Sequence, residues 1–66
     1  MEILDNIGEK IKKKRIEKKL KQYEVAKLAD MSNTFLSDIE TGRSAPALKT
    51  LEKIAKALEI DIKEFF

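Results

Sequence analysis

Residues 22–42, QYEVAKLADMSNTFLSDIETG, decide the fold. From Gln22 to Ala29 the apolar residues Val25, Leu28 and Ala29 recur at one-sided helical spacing. Asp30 and Met31 interrupt the run, and Ser32 can cap a second helix that carries Leu36 and Ile39 inward. The inward set of the pair is Val25, Ala29, Met31, Leu36 and Ile39, and Ala26 stands where two crossing helices have room for no more than a methyl group. Two short helices joined by a tight turn make a helix-turn-helix. A small helical bundle would show the same spacing, so the outward residues have to separate the two. Asn33, Thr34, Phe35, Ser37 and Asp38 face away from Leu36 and Ile39. A merely solvated face favours Lys, Glu and Gln, which are better helix formers. Short hydrogen-bonding side chains and an aromatic ring, set in the first turn and a half, suit contact with base edges in a DNA groove.

The chain of 66 residues is expected to form a single domain spanning 1–66. At this size only about 60% of the surface exposed by the unfolded chain is buried. Cysteine and histidine are both absent, which removes disulfides, thiolate nucleophiles and the usual zinc and proton-shuttle chemistry. No catalytic constellation, metal site, cofactor motif or small-molecule site is evident. No apolar run approaches the roughly 18 residues of a membrane span, and no signal-peptide core follows the first residues. These features imply a soluble, cytoplasmic protein without a membrane partner.

The net charge of +2 hides an uneven distribution. Between residues 10 and 21, Lys10, Lys12, Lys13, Lys14, Arg15, Lys18, Lys19 and Lys21 stand against Glu17 alone, a local charge of +7. Such a block on a nearly neutral body resembles a phosphate-facing edge, although lysine-rich solvated helices are common.

The first helix is predicted to start between Ile3 and Asn6 and to run to Lys19, with Asn6 and Glu9 as a capping box. Ile3, Leu4, Ile7 and Ile11 form its apolar stripe, and Arg15 continues it. A guanidinium aimed at a core needs a carboxylate, and Glu40 is the best placed. Ile16 lies opposite the stripe, as for a second contact surface, and Gly8 costs the helix about 1 kcal/mol relative to alanine. Leu20 can staple onto Val25. Lys21 is a poor N-cap, tolerated as a fault or retained because its ammonium reaches phosphate. Gln22 beside it can present its amide and the helix's free N–H groups to phosphate.

Asp30 is expected to take positive φ, and Met31 and Leu36 to bracket Ser32 as a staple. Phe35 either packs back on the first turn or meets a thymine methyl or sugar. Gly42 reads as a C-cap with positive φ, and Arg43 has the charge and reach for phosphate. Ala47 is a weak N-cap for a fourth helix carrying Leu48, Leu51, Ile54, Ala55 and Leu58. Residues 60–66 read as a last helical turn or two, with Asp61 and Glu64 as a capping box and Ile60 and Phe65 as a staple. Ile62 and Phe66 either fill the core or form a patch that pairs with a second chain.

From IGEKIKKKR through QYEVAKLADMSNTFLSDIETGR to LKTLEKIAKALEIDIKEFF, the chain resembles the phage Cro and repressor family of helix-turn-helix regulators, the Xre family. The specific part is Gln22, Glu24-Val25-Ala26, Ser32, Leu36-Ser37, Ile39-Glu40, Gly42 and Pro46 at these spacings. The resemblance implies an all-α, compact five-helix fold of the lambda-repressor type, with helices two and three as the motif. It implies a transcriptional regulator, most often a repressor, that binds double-stranded DNA as a homodimer on a near-palindromic operator with its third helix in the major groove. Base contacts would come from Asn33, Thr34 and Phe35, then Ser37 and Asp38. Phosphate contacts would come from Gln22 and Arg43, joined by Lys21, and Arg15 with Glu40 would be the family's buried ion pair. Small members, among them restriction–modification controller proteins, dimerise through the last helix and carry an aromatic at the Phe35 position. That places Ile62, Phe65 and Phe66 at the dimer interface. Lys21, Ala47 and Asp30 depart from the usual polar caps and turn glycine. Asp38 puts a negative charge on the reading face, where it accepts from a cytosine amine or holds a neighbouring side chain. An antitoxin or adaptor that uses Ile62, Phe65 and Phe66 as a protein-contact surface, with weak DNA binding, is the competing expectation.

Overall fold

The computed structural model describes the backbone of residues 2–66 and the side chains from Ile7 onward. The helices are α1 (Glu2–Glu17), α2 (Gln22–Leu28), α3 (Asn33–Glu40) and α4 (Leu48–Leu58), followed by one 3-10 turn over Ile62–Phe65. The Asn6–Glu9 capping box and the Ile3 and Leu4 positions of the stripe lie outside the described side chains. Among the described residues, four α-helices therefore replace the expected five. The four residues after Asp61 close i→i+3 bonds, Glu64 N–H to the Asp61 carbonyl and Phe66 N–H to that of Lys63. A run this short has no room for a second α-helical turn. The expected capping box is also not formed. Asp61 accepts from the Lys63 N–H at 2.9 Å, while Glu64 reaches back 2.8 Å to the Lys14 ammonium on α1.

One apolar core joins all five elements: Ile7 and Ile11 of α1, Val25 and Ala26 of α2, Leu36 and Ile39 of α3, Leu51, Ile54, Ala55 and Leu58 of α4, with Ala29 and Phe65. Leu20, Met31, Ile60 and Ile62 pack against it at the edge. Two residues of the expected apolar faces stand outside. Leu28 is 63% exposed and Leu48 61% exposed. Leu28 is the last residue of α2 and Leu48 the first of α4, positions where a helix has turned past its neighbour. Phe65 is fully buried and closes the base of the core, so it is not the surface residue that a dimer contact requires; Phe66 is 59% exposed.

Every helix ends the same way. Lys19, Asp30, Gly42 and Glu59 take left-handed φ values of 59°, 59°, 84° and 58°. The N–H of the following residue then bonds five residues back: Leu20 to Arg15, Met31 to Ala26, Arg43 to Asp38 and Ile60 to Ala55. This is the Schellman arrangement, and only Gly42 meets it without a Cβ penalty. Lys19 accordingly ends α1 at Glu17, two residues before the expected limit. The helix α4 has a fault at each end, since Ala47 offers no side-chain acceptor and Glu59 is left-handed. Ala47→Asp and Glu59→Gly should each raise stability by about 0.5–1 kcal/mol. Urea denaturation reads this directly, and a lowered midpoint for both would contradict the assignment of these ends.

Candidate nucleic-acid interface

The second helix of the motif is held from behind. Leu36 and Ile39 are buried against α1 and α2, and Glu40 retains only 6% exposure. Arg15 approaches Glu40 from α1, with Nε donating to Oε2 at 2.8 Å and Nη2 donating to Oε1 at 3.1 Å. The remaining guanidinium nitrogen, Nη1, donates to the Leu20 carbonyl at 2.9 Å. One side chain thus ties the end of α1, the α1–α2 link and the end of α3 together. The planar fork of arginine makes this two-point grip possible, and a lysine would not reproduce it.

Gln22 is turned inward from its expected position. Its Nε2 donates to Glu40 Oε1 at 3.1 Å. The start of α2 therefore lies beside the end of α3. At Lys21 only half of a capping box forms: Glu24 Oε1 accepts from the Lys21 N–H at 2.7 Å, and an ammonium has no acceptor to return.

At the other end of α3, Ser32 Oγ accepts from the Phe35 N–H at 3.0 Å and caps the helix. Asn33 and Thr34 are exposed, and Phe35 is 38% exposed. Ser37 and Asp38 are half-buried. Asp38 Oδ1 lies 4.0 Å from an Arg43 guanidinium nitrogen. The Asp38 carbonyl also accepts from the N–H groups of Arg43 and Ser44.

The basic block is weaker than its count. Lys14 is taken up by Glu64 at 2.8 Å, with Glu17 at 3.8 Å, and Arg15 by Glu40. The hydrogen bond and charge of Glu64 hold the Lys14 ammonium above its ordinary pKa. Lys12, Lys13, Lys18, Lys19 and Lys21 are exposed, the last three at the tip where α1 hands over to α2.

Two residues of this region escape a reading of the sequence. Tyr23, on the outer face of α2, is exposed, and with Lys27 and Asn33 it lines one open groove. The i, i+4 spacing of Tyr23 and Lys27 was the available signal. Among the described residues no cluster of acidic, histidine or cysteine side chains has the arrangement of a metal site. No helix among them is long and apolar enough to cross a membrane.

A short helix, exposed on one side and braced from behind by the helix before it, defines a helix-turn-helix domain. The helix-turn-helix family model of the Xre type matches residues 11–65, and the chain belongs to that family. It is similar to the ImmF control region 10 kDa protein of Bacillus phage phi105, with 54% identity over 56 residues, covering 85% of this chain and 62% of that protein. The immunity repressor protein of the same phage is 45% identical over 56 residues, covering 85% of this chain and 39% of the repressor. The chain therefore spans less than two thirds of the length of these two relatives. Among solved structures, the restriction–modification controller protein C.AhdI from Aeromonas hydrophila superposes with a TM-score of 0.92 at 28% identity, covering 96% of each chain.

Proposed function

We propose that this chain is a sequence-specific, double-stranded DNA-binding transcriptional regulator that acts as a repressor. The observation that carries this reading is the exposed start of α3, Asn33, Thr34 and Phe35, projecting from a helix whose opposite side is fully packed. Its similarity to a phage immunity repressor and to a restriction–modification controller protein supports the same assignment. In this reading α3 enters the major groove. Asn33, Thr34 and Phe35 meet base edges, with Ser37 and Asp38 behind them. Gln22, Lys21 and Arg43 meet the flanking phosphates.

Asn33→Ala is expected to cost about 1–3 kcal/mol at one base position and to relax specificity there. Removing Lys18, Lys19 or Lys21 should instead weaken all sequences alike and reduce the salt slope by about one per residue. A selection from random duplexes followed by titrations at several salt concentrations separates the two. An equal loss on specific and random DNA for Asn33→Ala would remove it from base recognition.

A single reading helix gives a small interface, about 600–1,000 Å² for one module, so a rare site calls for two copies. We assign the pairing surface to Phe66 and Ile62 at the closing 3-10 turn, with Phe65 behind them in the core. Phe66→Glu should shift sedimentation toward the monomer and weaken operator binding while the helical content stays unchanged. An unaltered dimer would place the pairing surface elsewhere.

A further inference from the structure

We infer that Glu40 is a positioning residue for DNA binding: it fixes the carboxamide of Gln22 so that one amide hydrogen is held inward and the other is presented to a phosphate. This rests on the reading of Gln22 as a phosphate contact.

The observation is the division of donors over one buried carboxylate. The Glu40 side chain is 2% exposed. Its Oε2 accepts from Arg15 Nε at 2.8 Å, and its Oε1 accepts from both Arg15 Nη2 and Gln22 Nε2 at 3.1 Å. A desolvated carboxylate holds its donors far more tightly than a solvated one. The amide group of Gln22 therefore has its rotation set by a group that cannot move without breaking the Arg15 grip.

Nε2 carries two hydrogens about 120° apart. With one spent on Glu40, the second remains available to an acceptor at the start of α2. A phosphate drawn there by Lys21 would otherwise have its oxygens facing Oε1 of Glu40, two acceptors with no hydrogen between them. Gln22 stands between them as a donor to both. Glutamate in this place would bring a third negative charge, and lysine, which could donate to both, would do so without the fixed planar geometry of the amide. The same amide, left free on an exposed helix start, would lose rotamer entropy on binding DNA. Here that ordering is already present in the free protein.

Gln22 is the sole glutamine of the chain, beside Asn6 and Asn33, so nitrogen-15 placed selectively in glutamine gives one pair of side-chain amide signals. Relaxation of that nitrogen in the free wild-type protein should show rigidity close to the backbone's. In the apolar replacement Arg15→Met with Glu40→Leu, which keeps volume and removes both charges, the amide should become mobile. DNA binding closes the cycle. Gln22→Ala should weaken specific and random DNA alike by about tenfold in the wild-type background. In the doubly replaced background binding should already be weaker, and Gln22→Ala should add no more than about twofold.

A mobile Gln22 amide in the free wild-type protein would overturn the proposal, whether or not the double replacement folds. So would a full tenfold penalty for Gln22→Ala in the apolar background, which would show a phosphate contact independent of Glu40. If Gln22→Ala leaves wild-type binding unchanged, both the contact and its positioning fall, while the role of Asn33 is judged separately by its own specificity test.

Discussion

Glu40→Ala should destabilise the domain by about 3–5 kcal/mol, the largest loss available to a single polar substitution in this chain. The truncation leaves Arg15 with the Leu20 carbonyl as its remaining partner, its Nε and Nη2 facing a gap, on a side chain only 12% exposed. An unpaired buried guanidinium can neither shed its proton nor reach water cheaply. Gln22 loses its acceptor in the same step. For 66 residues the whole stability amounts to only about 3–10 kcal/mol, so this one change consumes a third of it or more. Urea denaturation followed by circular dichroism should show the midpoint collapse, with part of the population unfolded before denaturant is added. Replacing Arg15 as well, by an apolar residue of similar volume, should recover most of the loss, because an uncompensated charge and not a missing attraction is the source of the damage. A loss below about 1 kcal/mol for Glu40→Ala would mean that solvent reaches Arg15 freely.

The Arg15–Glu40 pair shows what periodicity can deliver. Arg15 follows Ile7 and Ile11 at helical spacing, and a charge on an apolar stripe requires a counter-charge wherever the chain supplies one. Two short helices with an alanine at their crossing and a serine cap between them are legible for the same reason, since local spacing determines them. Positions that depend on where one element stops against another are not. Leu28 and Leu48 satisfy the apolar pattern and still face solvent, because each sits at the terminal turn of its helix. Phe65 and Phe66 are adjacent aromatics with opposite fates, separated by the direction in which a single 3-10 turn points them. The lysine count between residues 10 and 21 overstated the free positive charge, since Glu64 lies 50 residues from Lys14 in sequence yet 2.8 Å away in space. Local spacing ties Gln22 only to the helix it begins, whereas its amide is bonded to Glu40 on a different helix.

Gly8→Ala should destabilise the protein by about 2–3 kcal/mol, against the helix propensity that would make the same change favourable by about 1 kcal/mol on an open face. A methyl group built on Gly8 runs into the Ile39 carbonyl oxygen and lies 3.0 Å from the carbonyl oxygen of Glu40 and 3.1 Å from its carbon. These are backbone atoms of the last turn of α3, so no rotamer change clears them, and α1 and α3 must separate. The glycine that looks like a cost within its own helix is therefore what lets α1 close on α3 and brings Arg15 within reach of Glu40. Separation would loosen the ion pair as well, which makes the effects of Gly8→Ala and Glu40→Ala less than additive. It would also shift the brace behind Asn33, Thr34 and Phe35, so whatever fraction remains folded should bind its preferred DNA less selectively. Denaturation of the two single variants and their combination measures both the sign and the coupling. A stabilised Gly8→Ala protein would show that α1 slides on α3 without penalty, and the close approach of the two helices would then have no part in aiming the exposed face.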